Sequence, residues 1–383
     1  MATAFKHLID RDLVHDVGQH LRRAWPAFPQ EAFVAQALNG LDALALKARA
    51  RHIAHALADT LPRDFHAAAE VMEASLRPVP QPRFEHDPDK ELGQLGTDAT
   101  GLGGWALWAF GEYVAHHGLA HPDRALRTLH ALTQRFTAEF AIRPFIVAHP
   151  ERVFATLQQW QHDPSAHVRR LVSEGSRPRL PWGLRLQALV QDPAPTLPLL
   201  RTLQDDPSAY VRRSVANHLN DIAKDHPERV VDWLRTHLPE APASRVQLLR
   251  HASRSLIKAG HPGTLQAWGL GEPFHGQATL HLPAPTVRIG EALSFSVSLH
   301  AAPGPQQTLE LDYRVHHVKA NGETSPKTFK GKRLRLSPHE AWHWTKAHSF
   351  QPISTRRYHP GHHRLELLLN GQVVACADFD LLA

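Results

Sequence analysis

The sequence predicts a mainly α-helical chain, built as a solenoid of stacked helix pairs and followed by an all-β sandwich. Three observations carry this expectation. A segment recurs: DPSAHVRRLVSEG, starting at Asp163, returns as DPSAYVRRSVANH, starting at Asp206, an offset of 43 residues. His-Pro or Asp-Pro steps fall at Pro122, Pro150, Pro164, Pro207, Pro227 and Pro262, and the residue before a proline is biased away from helix, so each step marks a loop. Past Gly269 the apolar period changes from that of a helix to two. Self-similarity at this spacing on helical segments is what HEAT-like arrays show.

Taken in order, residues 9 to 24 place Leu13, Val14, Val17 and Leu21 at helical spacing, and Pro26 closes the element. A second helix starts near Gln30, and a third runs from Leu41 to Ala58. The third sets Lys47, Arg49 and Arg51 beside Leu44, Leu46 and Ile53, charges that read as a solvated face rather than a DNA contact. From Val79 to Gly104 the chain is rich in Pro, Asp and Gly, too broken for a long helix, and it separates an N-terminal capping unit from the rest of the array. The next helix, Trp105 to His117, carries Trp105, Trp108, Phe110 and Tyr113 at a spacing that suits core packing. Helix pairs then continue to Trp268.

LGEPFHG is a linker. Beyond it Leu293, Phe295, Val297 and Leu299 share one face, as do Leu309, Leu311, Tyr313 and Val315. Turn signals at Pro303-Gly304, Asn321-Gly322, Pro360-Gly361 and Asn370-Gly371 separate about seven strands over roughly 110 residues, the size of an immunoglobulin-like sandwich. The expected domains are residues 1–268, helical, and 277–383, β.

Composition narrows the function classes. With 42% hydrophobic and 21% charged residues the chain is a globular one. No apolar run reaches the roughly 20 residues that span a bilayer, and the N-terminus has charges where a signal peptide has an apolar core, so the expected location is cytoplasmic, with no membrane partner. The single cysteine, Cys376, excludes an intrachain disulfide and a cysteine-built zinc site. Thirty histidines are scattered without an HExxH, and read as solvated or core residues. Lys and Arg exceed Asp and Glu by 43 to 37, and between Asp163 and Lys258 alone by fifteen to ten. That basic quarter permits nucleic-acid binding without proving it.

The two copies of the repeat differ in an informative way. In the second, Val211, Val215 and Ile222 form the buried stripe, while Arg213, Asn217 and Asp221 share a polar face. The first copy sets Arg170 and Glu174 at the positions of Arg213 and Asn217, but its helix is stopped by Gly175 and Pro178. The lost turn predicts a notch beside Asp221. Glu174 stands at its edge, Arg177 and Arg179 enter from the broken turn, and Trp182 begins the next helix. Carboxylates among arginines and a tryptophan suit an anionic backbone that bears a cationic leaving group. Spacing alone favours the plainer reading, ion pairs from Glu174 and Asp221 to Arg170 and Arg213.

The run VRRLVSEGSRPRLPW, with the N-terminal ALKARARHIAHAL and the helical array, resembles the AlkC branch of the AlkC/AlkD group of bacterial DNA alkylation repair glycosylases, over about residues 1–268. Some members of that group carry a C-terminal Ig-like domain. The resemblance implies a monofunctional hydrolase of base excision repair, needing no cofactor and no metal. It would act as a monomer on double-stranded DNA, releasing 3-methylcytosine or 3-methyladenine without base flipping. It implies Glu174 as principal catalytic carboxylate, Asp221 and Glu139 as acidic neighbours, and Arg170 and Arg177 on the backbone or orienting the acids. Trp182 would pack on the lesion's deoxyribose, with Arg179 and Arg213 as further DNA contacts. The sandwich would grip DNA through Lys327, Lys330, Lys332, Arg333, Arg335, Arg356 and Arg357. The rival expectations are a damage-binding protein that cuts nothing and a protein-binding scaffold.

Overall fold

The computed structural model describes residues 5–79, 95–353 and 356–383. Most of the predicted loop between Val79 and Gly104 therefore lies outside the described residues. The chain divides into two compact units: one of the described residues through Asp225 together with Pro242–Ala252, the other of His226–Ala241 with Ser253–Ala383.

The first unit is helical. Helix Arg11–Ala24 buries Val14, Val17 and Leu21, and the Asp10 side chain caps its N-terminus through the Leu13 N–H at 2.9 Å. Gln30–Leu38 follows, then Leu46–Thr60. The third helix starts later than predicted because Leu41–Ala43 is a 3₁₀ turn. Of its charges, Arg51 is exposed as expected, but Arg49 is not part of a solvated face. Arg49 is 2% exposed and donates to the carbonyls of Ile9, Leu44 and Asp42, tying the turn to the preceding chain. The aromatic helix, Ala106–His117, is buried almost throughout, as its spacing predicts.

The repeat motif has a shared local geometry. Asp163 Oδ1 accepts from Ser165 N and Asp206 Oδ1 from Ser208 N, each at 2.8 Å, so both Asp-Pro turns are closed by the aspartate ahead of a helix. Arg169 and Arg212 then donate back to the carbonyls of the same turns, Asp163 and Pro164 in one, Asp206 and Pro207 in the other. Arg169 also reaches the Asp206 carboxylate at 2.6 and 3.1 Å, which links one copy to the next. The helices that follow these turns, Ala166–Gly175 and Ala209–Ile222, pack on each other, flanked by Pro122–Thr133 and Ala243–Ala252. Val211, Val215, Leu219 and Ile222 are at most 1% exposed, and burying each contributes about 1.5–3 kcal/mol. The first helix is shorter, ten residues against fourteen.

In the second unit, helices Pro227–His237, Arg254–Ala259 and Pro262–Ala267 precede eight strands among the described residues, one more than expected. These are β1 (Gly276–His281), β2 (Thr286–Arg288), β3 (Ala292–Ala301), β4 (Gln307–Val318), β5 (Thr324–Leu336), β6 (Ala341–Ser349), β7 (Gly361–Leu369) and β8 (Gln372–Leu382). One sheet has the order β1-β3-β6, the other β2-β8-β7-β4-β5, with β2 parallel to β8 and the remaining pairs antiparallel. The alternating residues predicted on β3 and β4 face the core, none more than 4% exposed. The β7–β8 hairpin turns at Asn370-Gly371, both at positive φ, which these residue types tolerate. Cys376 is exposed and unpaired.

One end of this core is unusual. His317, His348 and His363 are 4%, 6% and 1% exposed, and burial lowers all three pKa values, His317 to about 3 and His348 to about 4. The histidines are neutral when folded and titrate near 6.5 when unfolded. Their neutral forms therefore leave stability intact above pH 6.5, and it falls as pH drops from there towards 4, by roughly 1 kcal/mol per pH unit for each of His317 and His348, with His363 adding in the same direction. Urea unfolding followed by sandwich fluorescence is expected to show this loss, and the His317→Phe variant a shallower one. Equal slopes would mean that His317 does not titrate on unfolding in this range.

Candidate active site

The broken copy of the repeat organises the site. Gly175 is the last residue of its helix, and the position has no room for a side chain: a Cβ there would lie 2.6 Å from Ile142 Cγ2. The chain then turns through Ser176 and Pro178, and Arg177 is carried back between the two repeat helices. Its Nη1 donates to Glu174 Oε1 at 2.7 Å, while Nε and Nη2 both meet Asp221 Oδ2 at 2.8 Å. One guanidinium thus bridges the last turn of Ala166–Gly175 to the last turn of Ala209–Ile222. Glu174 is 6%, Asp221 1% and Arg177 7% exposed.

The remaining oxygens are also held. Ser214 donates to Glu174 Oε2 at 2.6 Å, and Lys224 reaches Asp221 Oδ1 at 2.8 Å. Arg170 lies 3.7 Å from Glu174 and donates to Glu139 Oε2 at 3.1 Å, with its guanidinium 5.0 Å above the Tyr210 ring. Glu139 is in a turn, 7% exposed, and so belongs to this cluster rather than to a helix surface. Three carboxylates, two arginines and the half-exposed Lys224 make a charge-balanced network, buried except at the lysine, whose members depend on one another.

The electrostatics define the ionisation states. Burial works against the charge of Glu174, but Arg170, Arg177 and the Ser214 hydroxyl outweigh it and hold the carboxyl below its usual range. Burial likewise opposes charge on Arg170 and Arg177; Glu139 and Glu174 respectively lead the groups that reverse it, and both pKa values are raised. Glu174 is therefore an anion at neutral pH, suited to stabilising positive charge and unsuited to donating a proton.

Beyond the cluster, the segment after Pro178 corrects one expectation. Trp182 does not begin a helix; the next one is Gln187–Gln191. Pro181 and the Gly183 N–H to Leu180 carbonyl bond form a tight turn, with Trp182 at φ +62, a conformation glycine usually occupies. Trp182 is 74% and Leu184 51% exposed. The loop is pinned from below: the buried Arg143 donates to the carbonyls of Gly175 and Leu184, and Lys47 Nζ donates to the Trp182 carbonyl at 3.0 Å. Burial and the nearby Arg177 push the Arg143 pKa down to about 10.

The structure thus brings Glu139, Arg170, Glu174, Arg177 and Asp221 together. Arg179 sits beside them, paired bidentately with Asp225 at 2.6 Å. Arg213 is exposed on its helix, and the Asp221 carboxylate is held by Arg177 and Lys224 instead of the expected ion pair along the helix. Sequence reasoning missed Ser214, Tyr210, Lys224, Arg143 and Lys47. Ser214 was findable, since the copy offset sets it where the first helix has the apolar Leu171. Arg143 and Lys47 come from distant segments with no such signal.

Known proteins resemble this chain as a whole. Residues 277–383 match the family model described as "Uncharacterised protein YhaZ, C-terminal Ig-like domain". The protein YhaZ of Bacillus subtilis (strain 168) is 34% identical over 382 residues, covering 98% of this chain and 99% of that one. A solved structure of Pseudomonas fluorescens alkylpurine DNA glycosylase AlkC, bound to DNA containing an abasic site analog, is 32% identical over 100% of both chains, with a TM-score of 0.89. Helical repeats joined to an Ig-like sandwich are the AlkC-like fold. The chain belongs to the AlkC/YhaZ family.

Proposed function

We propose that the protein is a DNA glycosylase that hydrolyses the N-glycosidic bond of cationic N3-alkylated bases, 3-methylcytosine and 3-methyladenine, in double-stranded DNA. The observation that carries this reading is the Arg177 bridge, which sets the anionic Glu174 and Asp221 at adjoining helix ends beside the pinned Trp182 loop. Likeness to AlkC, whose structure holds DNA with an abasic site analog, supports the same reaction class.

The chemistry follows from charge. N3-alkylation leaves the base cationic, so it departs as a neutral molecule without first being protonated. Breaking the bond from C1′ to the base makes the deoxyribose oxocarbenium-like, and water adds at C1′, losing a proton to solvent or to a carboxylate. The work left to the protein is stabilising that cation and placing the water, tasks for ionised carboxylates. Glu174 takes the principal role, with Asp221 and Glu139 as acidic neighbours. Arg170 and Arg177 orient the acids, and Trp182 packs on the deoxyribose of a nucleotide that stays in the stack. Arg179 and Arg213 meet phosphates. Residues 1–268 supply the reaction; the sandwich, 277–383, holds DNA with its exposed β5 cations, and the protein acts as a monomer.

Incubation with methylated duplex DNA tests the proposal by release of free base. Release of 3-methyladenine or 3-methylcytosine is expected; intact binding without release would sink the enzyme reading in favour of damage binding alone. Within it, Trp182→Ala is expected to leave the melting temperature unchanged, the side chain being exposed, while excision falls roughly ten-fold or more through lost positioning. Full activity would remove Trp182 from the site.

A further inference from the structure

The Ig-like sandwich has an open end that is built unlike the rest of its core. β5 is the edge of one sheet and β6 the edge of the other. Their inward positions are set by register: Lys327 and Phe329 lie opposite the inward Val315 and Tyr313 of β4, and Lys346 and His348 lie opposite the inward Phe295 and Leu293 of β3. Here a cavity of about 340 Å³ remains, lined by Tyr313, His317, Phe329, His348 and Tyr358, with Lys327, Lys346 and Arg356 among its walls.

Two independent features point to a ligand. The first is an unsatisfied donor and acceptor: both ring nitrogens of His317, 4% exposed, lack a hydrogen-bond partner, and so does Nε2 of His348. Buried polar atoms of this kind are ordinarily paired, and a cavity beside them is where a partner would sit. The second is charge. Lys327, Lys346 and Arg356 all line the cavity, and Arg356 and Lys327 lower the pKa of both His317 and His348. Aromatic surface is also present: the Phe329 ring stacks on Tyr313 at 5.2 Å, with Lys327 Nζ 5.4 Å from its centre.

Simpler explanations cover only part of this. Inward lysines on edge strands prevent strand addition, which accounts for Lys327 and Lys346 but not for the unpaired His317 nitrogens or Arg356. Among the described residues no set of His, Cys, Asp or Glu could hold a metal ion, so the three histidines are not a metal centre.

We propose that the open end of the sandwich is a nucleotide-binding site, taking an aromatic base over Phe329 and Tyr358, with hydrogen bonds to His317, and its phosphate between Lys327, Lys346 and Arg356. Stacking on aromatic rings and cationic capture of a phosphate are the two interactions these residues offer together. The site is built from residues of the second unit alone and does not depend on the glycosylase reading. The nucleotide could be free or an unpaired residue of a DNA strand.

Titration calorimetry of the full chain tests this with deoxyadenosine 5′-monophosphate, deoxyadenosine, inorganic phosphate and a short oligothymidylate. Saturable binding of one nucleotide per chain is expected, tighter than either fragment, with affinity falling about ten-fold or more in Lys346→Gln/Arg356→Gln. Both positions lie on the cavity rim, so the variant is expected to unfold at the wild-type urea midpoint; Phe329→Leu offers a second, uncharged test and should weaken the nucleotide but not phosphate. Tighter binding of the oligothymidylate, lost in the same variants, would make a DNA strand the source; binding of the mononucleotide alone would make it a free nucleotide. No saturable binding at millimolar nucleotide, affinity unchanged by the variants, or equal affinity for phosphate and nucleotide would each overturn the proposal.

Discussion

Glu174→Gln is expected to lower single-turnover base excision by roughly a hundred-fold or more, while duplex affinity stays near wild type. The substitution keeps the shape: the amide oxygen can still accept from Arg177, and the amide NH2 then faces the Ser214 hydroxyl, which can accept in its turn. What it removes is the negative charge, which in the proposed reaction faces a deoxyribose that turns positive only in the transition state. A loss confined to the chemical step is the signature of that role. Wild-type excision in the variant would take Glu174 out of it. The pH profile gives a second reading. The folded pKa of Glu174 is depressed by Arg170, Arg177 and Ser214, against the effect of burial. Excision that needs its anion should hold steady from neutral pH down through the ordinary glutamate range and fail only below it. A general acid would give the opposite, a rate rising as pH falls. The same depression stabilises the fold above the unfolded pKa, and that contribution is lost as pH drops through the folded one.

Arg177→Met is expected to cost about 3–5 kcal/mol of stability at neutral pH, because removing one partner of a buried ion network strands the others. Arg177 carries most of the tie between Glu174 and Asp221, and Asp221 is 2% exposed at its side chain. Without the guanidinium the two carboxylates face each other with less compensation, and the pKa of one should rise. The stability loss should therefore shrink as pH is lowered and a carboxylate is protonated. Urea unfolding at neutral and mildly acidic pH measures both effects. A loss under about 1 kcal/mol, independent of pH, would mean that the bridge acts as a surface pair does, contrary to its burial.

Much of the fold was legible along the chain because its signals are local. Proline steps, helical spacing and period-two alternation each arise within a few residues, and the 43-residue recurrence marks the array without reference to any contact. Errors fell where a local signal met a distant partner. Arg49 reads as a surface charge until the Ile9 carbonyl is placed beside it. Trp182 reads as a helix start until the turn between Leu180 and Gly183 forces it to positive φ.

By itself the sequence determined the helical array, the sandwich, and a broken repeat carrying Glu174, Arg177 and Asp221 near one another. Only the tertiary structure decided how those residues are used. Arg177 and Asp221 lie 44 residues apart, and the loop that presents Trp182 is fixed by Arg143 and Lys47 from earlier helices. Spacing along one helix suggested ion pairs within each copy, whereas packing between copies set one guanidinium across two carboxylates. The physical reason is that burial makes an unpaired charge expensive, so the chain satisfies each carboxylate with whichever cation the packed helices bring within reach.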